Sequence, residues 1–426
     1  MKGLNREVKQ YIHANKSDLL TLSCNLIKAK SENPPGDVSE PTQIAQTFLE
    51  QKGIAYEKVE PKQGRINTIA SIGSGIKTII LCGHIDTVPA GDESKWSFHP
   101  FSGTIKNGAI LGRGATDMKG GLAAMLMALA AVKQIEARLP GKVTGAIVCD
   151  EETGGDNGAK WLIENRKLSG DACLLAEPSA YMAAGYSIDA GERGVCWLRF
   201  TALGKPAHGS WPMMGKNAII TLTNFLPKLK AIEKIKVKTP KDALPLIANG
   251  KKILSKIAKK NKIPTNTLCG ILDHYTVNIG TIAGGTKINV VPEKCSAEAD
   301  FRIPIGGSKK EIESSIRKIL PKDIGYEVVQ ESIPSYTSAF DPFVKVIEAN
   351  VRRVFGSKPL TMAVWATSDA WRFRKILGIP TATFGPGFIE KAHSYDEMVS
   401  VEDVVRSAEV YASVIVNYLT SSSPCY

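Results

Sequence analysis

Seven residues of the kinds that bind metals or move protons recur in a suggestive order along this chain: His84, Asp86, Asp117, Glu151, Glu152, Glu177 and His393. His84 closes the largely apolar run that starts at Thr78, and Asp86 follows two residues later. In extended backbone a spacing of two puts both side chains on one face. A carboxylate beside a metal-ligating imidazole can fix its tautomer and raise its basicity, which suits Asp86 as the partner of His84. Asp117 lies between Arg113 and Gly121, just before a predicted helix. Glu151 and Glu152 follow a run ending in Cys149-Asp150, Glu177 follows one ending in Ala176, and His393 lies in a loop after Phe384-Gly385-Pro386-Gly387. Two imidazoles with three or more carboxylates are the N/O mixture of a catalytic zinc pair. Such a pair needs a shared ligand holding the cations ~3.5–4 Å apart, so that a hydroxide is activated and a carbonyl polarised. Glu151 and Glu152 are neighbours whose side chains point differently, so one can ligate while the other takes a proton from water.

The elements around these residues decide whether they can meet. Apolar spacing predicts a helix from Asn5 to Ser31, stopped by the Asn33-Pro34-Pro35-Gly36 cluster, and another from Pro41 to Lys52. Thr78 to Gly83, Lys142 to Cys149 and Ala172 to Ala176 read as buried strands, separated by helices over Lys119–Arg138 and Ala159–Arg166. This alternation predicts a three-layer α/β domain built on a central mixed sheet. Ligands bind such sheets beyond the carboxyl ends of the strands, which is where the acidic and histidine clusters fall. The pattern then changes. Val195–Ala202, Tyr275–Ile282, Lys294–Ile303 and Tyr326–Gln330 read as strands, Asn217–Leu229 and Lys309–Leu320 as helices, and the lysine-rich stretch Lys236–Pro264 stays unassigned. Helix over Pro342–Val354, strand over Thr381–Gly385 and helix over Val401–Leu419 restore the first pattern. The expected organisation is a main domain over 1–190 and 336–426, interrupted by an inserted α+β sandwich over 191–335.

Composition narrows the function further. Hydrophobic residues make up 43% and charged residues 23% of the 426, an ordinary globular balance that argues against disorder or a fibrous repeat. The formal charge of +12 raises the question of nucleic acid. The densest basic run, Lys251 to Lys262, contains no aromatic residue for base stacking, and no nucleic-acid motif is present. The excess of lysine therefore reads as a solvated surface that attracts small anions. The eight cysteines, among them Cys82, Cys149, Cys173 and Cys425, include no CxxC pair. They read as structural thiols of a reducing compartment. With no apolar leader and no run of 18 apolar residues, the expectation is a cytoplasmic protein without a membrane partner.

Gly83-His84-Ile85-Asp86-Thr87-Val88-Pro89, the Gly112–Gly121 stretch, Asp150-Glu151-Glu152, Ala176-Glu177-Pro178 and Ala392-His393-Ser394 ahead of Asp396-Glu397 together resemble the M20 group of metallopeptidases and deacylases. The resemblance runs from Asn33-Pro34-Pro35 to the terminal helix. It implies two zinc ions, with cobalt a workable substitute. His84, Asp117 and Glu177 would hold one ion, and Asp117, Glu152 and His393 the other. Asp117 would bridge, Glu151 would act as general base and then acid, and the Asp117–Met118 peptide would be cis. Met118 stands where a common family form has a second Asp, a side chain that is not a ligand. In the insert, Lys205-Pro206-Ala207-His208-Gly209-Ser210 resembles a lid motif whose His208 reaches the partner subunit's active site and stabilises the oxyanion. Asn289 and Arg302 resemble the residues that hold a substrate α-carboxylate, a task suited to the planar fork of arginine. Ser368, Asp369, Gly385 and Gly387 resemble substrate-cradling loops. The resemblance therefore implies a homodimeric amidohydrolase with an inserted lid and dimerisation domain. Its small-molecule substrate would be an N-acyl amino acid of the N-succinyl-diaminopimelate or N-acetylornithine type. The alternative is a dipeptidase, carboxypeptidase or general aminoacylase using the same metal site.

Overall fold

The computed structural model describes residues 2–421, so Cys425 lies outside the described residues. The chain divides into two compact units. The first comprises Met1–Ala190, Thr337–Met362 and Ser368–Tyr426; the second comprises Gly191–Tyr336 and the short return Ala363–Thr367.

The first unit is built on a mixed sheet. Its strands lie in the spatial order Ala55–Lys62, Arg65–Ile72, Lys142–Val148, Thr78–His84, Ala172–Leu175, Thr381–Thr383 and Gly185–Glu192. The four central strands are mutually parallel, and antiparallel strands flank them on both sides. The registers pair His84 with Val148, and Cys82 with Leu175. The segments carrying His84, Glu151, Glu152 and Glu177 therefore leave the sheet along one edge. Alternation across the pleat turns Ile80, Cys82, Ala146, Val148, Cys173 and Leu175 toward one face, where they pack with Ala159, Leu162, Ile163, Ala370 and Phe373. Opposite them lies the helix Gly120–Lys133, which is buried from Gly120 through Val132 and packs against the terminal helix Val401–Leu419. The segment Ala115–Lys133 is long and apolar enough to cross a membrane, yet 94% of it is buried inside this unit. A helix that is apolar all round is one surrounded by protein. The result is three layers, as the alternation of elements predicts.

Several boundaries differ from the sequence reading. The expected first helix is two helices, Lys2–Ala14 and Lys16–Lys28, which meet at Asn15. The Asn15 side chain bonds back to the Tyr11 carbonyl, which its own backbone amide also reaches. The hairpin Ala55–Lys62 and Arg65–Ile72 lacks a clean two-residue alternation, because its outer strand is mostly exposed. Cys82, Cys149 and Cys173 are buried free thiols.

The second unit is a four-stranded antiparallel sheet in the order Thr276–Gly284, Lys294–Ile303, Gly194–Leu203 and Ile324–Glu331. One face carries Cys196, Leu198, Phe200, Ala297 and Phe301, covered by Leu222, Phe225, Leu229, Ile312 and Ile316 from the helical segments. The helix Lys309–Ile319 opens with a capping box between Ser308 and Glu311. The unassigned lysine-rich stretch contains the helix Leu244–Lys260, whose buried residues Leu246, Ile247, Gly250, Ile253 and Leu254 recur at helical spacing. Its periodicity is partly hidden by the Pro245 and Gly250 breakers in the same stretch.

The start of the central helix is crowded against a strand end. A Cβ on Gly121 would lie 2.0 Å from the Ala176 carbonyl oxygen. Gly121→Ala should therefore lower the urea midpoint of unfolding. Overpacking costs about 1–3 kcal/mol, and contact with rigid backbone places this case at the upper end, above the gain of about 1 kcal/mol in helix propensity. An unchanged or raised midpoint would show that the strand end yields.

Candidate metal centre

The first unit brings His84, Asp117, Glu151, Glu152, Glu177 and His393 into one cluster. Nε2 of His84 lies 3.0 Å from Asp117 Oδ1 and 3.4 Å from Glu177 Oε1. Nε2 of His393 lies 3.2 Å from Asp117 Oδ2 and 3.2 Å from Glu152 Oε2. Each imidazole thus faces a different oxygen of Asp117, which stands between them. Ligand atoms of His84, Glu151 and Glu177 all lie within 4.8 Å of one another, as do those of His84, Asp117 and Glu152. The Asp117–Met118 peptide is cis.

Burial and mutual repulsion set the electrostatics. Burial pushes the Glu177 carboxyl up to about 7, with the charges of Asp117 and Glu152 acting in the same direction and His84 opposing. Burial also raises Glu151, well above the ordinary carboxylate range, and Glu152. Hydrogen bonds to Asp117 and Glu152 lift His393 to about 11. The carboxylates are short of positive charge, and together with the imidazole nitrogens of His84 and His393 their oxygens suit zinc or another borderline cation. The donor set therefore fits a metal site, with Asp117 standing between the two imidazoles.

Asp86 does more than its spacing suggests. The His84 Nδ1 contact is to the Asp86 main-chain carbonyl at 2.9 Å, while the Asp86 carboxylate lies 3.5 Å away. That carboxylate accepts the backbone amides of Glu151 and Glu152, each at 3.2 Å, and the Asn33 side-chain amide at 2.8 Å. Asn33 also donates to Asp150 and Thr153, and Arg65 pairs with Asp150 at 3.0 Å. Asp86 thus orients the Glu-Glu turn as well as the imidazole. The sequence pattern assigns no role to Asn33, Arg65 or Asp150, although Asn33 heads the proline cluster and Asp150 precedes the Glu-Glu pair.

The remaining residues of the sequence reading fall in different places. Asp369 is buried and paired with Arg372, which also donates to the Gly154 carbonyl beyond the Glu-Glu turn. A Cβ on Gly385 would come within 2.4 Å of both the Ala176 and Glu177 carbonyl oxygens, and one on Gly387, where φ is +103°, within 2.9 Å of Thr116. These three positions brace the cluster from behind. Ser368 accepts the Ala370 amide at 3.2 Å. In the second unit, His208 is exposed with Nδ1 2.7 Å from Ser210 Oγ, and the Gly209 amide donates to the Asn289 carbonyl at 2.7 Å. His208 and Asn289 therefore belong to adjoining backbone segments. Nε of Arg302 donates to both oxygens of Asp300, at 2.9 and 3.0 Å, which leaves the two terminal nitrogens of its fork for a ligand.

Removing cations with a chelator and restoring zinc or cobalt should raise the thermal midpoint of this protein. Ligand at a hundred times Kd stabilises by about 2.7 kcal/mol. No shift with either ion, read by differential scanning fluorimetry, would count against a metal centre here.

Residues 80–417 match the sequence profile of the peptidase family M20/M25/M40. A probable succinyl-diaminopimelate desuccinylase of Staphylococcus epidermidis is 29% identical over 419 residues, covering 95% of this chain and 98% of that protein. Among solved structures, an M20 family metallo-carboxypeptidase from Sulfolobus solfataricus superposes with a TM-score of 0.81 at 20% identity, over 94% of this chain and 99% of its own. A di-peptidase from Saccharomyces cerevisiae gives 0.77 at 17% identity, over 98% and 99%. At those identities the two structures speak for the fold. The profile match over most of the chain, together with the imidazole and carboxylate cluster at the sheet edge, places this protein in the peptidase family M20/M25/M40, as a metal-dependent hydrolase of amide bonds.

Proposed function

We propose that the protein is a di-zinc deacylase that cleaves the amide of an N-acyl amino acid of the N-succinyl-diaminopimelate or N-acetylornithine type. The observation that carries the two-cation part is Asp117, whose two oxygens face separate imidazoles. The substrate class draws support from the desuccinylase relative, similar over nearly the whole of both chains.

His84, Asp117 and Glu177 would hold one zinc, and Asp117, Glu152 and His393 the other. Bound there, zinc supplies Lewis acidity toward the carbonyl and lowers the pKa of water. Glu151 accepts the proton of the attacking water and returns it to the nitrogen of the leaving amine. Its backbone amide is anchored on Asp86, which keeps the carboxylate aimed into the cluster. His208 donates a hydrogen bond to the developing oxyanion. The free nitrogens of Arg302, with Asn289, hold the substrate carboxylate. A homodimer, in which His208 serves the partner's centre, agrees with the exposed edge strand Thr276–Gly284 and its exposed Ile279 and Ile282. A cytoplasmic setting agrees with the free cysteines.

A second reading, a dipeptidase or carboxypeptidase, draws on the peptidases among similar folds. One panel separates the two: N-succinyl-diaminopimelate, N-acetylornithine, several N-acetyl amino acids and a few dipeptides, with release of free amine followed on zinc-loaded protein. The deacylase reading expects kcat/KM on one biosynthetic N-acyl substrate to exceed every dipeptide at least tenfold. Dipeptides turned over fastest would replace it with the peptidase reading. Glu151→Gln should keep both cations, counted by metal analysis, and lose about 10²–10⁴-fold in kcat. Full activity with both ions bound would remove Glu151 from proton transfer.

A further inference from the structure

We propose that Glu397, a buried carboxylate outside the ligand set, is the positioning residue that fixes the separation of Asp117 and His393 and so sets the affinity of the cation position they share with Glu152. The inference rests on the two-cation reading above.

The two segments that must be held together come from distant parts of the chain and have little regular structure of their own. At Asp117 and Met118 the backbone is non-helical (φ/ψ −122°/96° and −131°/28°), and the Thr116 and Asp117 amides bond to a side-chain carboxylate instead of a helical carbonyl. His393 sits in a loop at φ +57°, and its side chain is about half exposed. His84 and Glu177 differ from it, because each ends or directly follows a strand whose place is set by its ladders.

Glu397 links the two segments through both carboxylate oxygens and its main-chain carbonyl. One oxygen accepts the amides of Thr116 and Asp117 at 2.9 and 3.0 Å. The other takes Nη1 of Arg113 at 2.6 Å. Its carbonyl accepts the Gly112 amide at 3.0 Å. Thr116 Oγ1 closes the seam by donating to the Met398 carbonyl at 2.7 Å, and Met398–Ser400 pairs antiparallel with Ala109–Leu111. Glu397 and Arg113 are both buried, at 0% and 3% exposure. A buried ion pair is a costly way to fill space compared with apolar packing. This one satisfies the two backbone amides that lead into Asp117, four residues from His393. Groups that orient ligands in this way typically alter metal affinity by about 10–100-fold when replaced.

The test is titration of chelated full-length protein with cobalt, following visible absorption against a competing chelator. Wild type and the variants Glu397→Gln, His393→Ala and the double variant would be compared. Wild type should take up two ions, and His393→Ala should lose or severely weaken one position. Glu397→Gln should bind one ion as wild type does and the other about 10–100-fold more weakly. In the His393→Ala background, Glu397→Gln should leave the remaining ion's affinity unchanged, because its effect runs through the position already removed. If Glu397→Gln does not fold, Glu397→Asp replaces it; the shortened side chain cannot reach the Thr116 and Asp117 amides and Arg113 together, so the same selective loss is expected. Equal weakening of both positions, or intact affinities with only a lowered thermal midpoint, would make Glu397 a general structural group and overturn the inference. Uptake of a single ion by wild type would instead overturn the two-cation reading, and this inference with it.

Discussion

The first unit is organised around a concentration of negative charge. Asp86, Asp117, Glu151, Glu152 and Glu177 crowd two imidazoles where the parallel strands of a mixed sheet end, and burial raises Glu152, lifts Glu177 to about 7 and puts Glu151 well above the ordinary carboxylate range. Such groups repel one another and lose hydration, so they stay together only where the backbone leaves them no choice. The parallel strands supply that constraint. The register that sets His84 opposite Val148, and Cys82 opposite Leu175, commits three ligand-bearing segments to one edge before any side chain is considered.

Behind the ligands, buried carboxylates bond to backbone amides and to side-chain donors. Asp86 gathers the amides of Glu151 and Glu152, Asp150 receives Asn33 and Arg65, and Asp369 is paired with Arg372. Charge-assisted bonds of this kind are stronger and more directional than neutral ones. They turn loops, which would otherwise be the pliable part of an α/β fold, into a rigid rim. Glycines complete the rim where a side chain would not fit: Gly121 and Gly385 both close on the Ala176 carbonyl, next to Glu177. Function and packing thus meet in the same few residues, and a methyl group added behind the site acts on the ligands in front of it.

The second unit has a different logic. Its antiparallel sheet buries one face under helices and leaves the other to solvent, where Arg199 pairs with Glu298 and Glu327. Nothing in its core requires His208, Asn289 or Arg302, and His208 and Asn289 are exposed. His208 and Asn289 lie in loops, and Arg302 lies on a strand beside its partner Asp300.

What could be read from the sequence was the chemistry and the order of the layers. Residue type decides which atoms can bind a cation, and short apolar runs alternating with helical spacing announce a sheet covered on both faces. His84, Asp117, Glu151, Glu152, Glu177 and His393 could be singled out as candidates for that reason, while their division into ligands and proton carrier came from the family resemblance; the buried helix after Gly120 was legible from its apolar run. The mostly exposed hairpin Ala55–Ile72 and the break at Asn15 were not, since neither carries a clean period. Only the tertiary structure decided which oxygen of Asp117 faces which imidazole, and that Asp86 serves two amides as well as a ring. It also decided that Asp369, Gly385 and Gly387 brace the cluster, and that Glu397 holds Asp117 from a position 280 residues away. Those relations depend on strand register and on contacts between distant segments, and local sequence pattern carries no record of either.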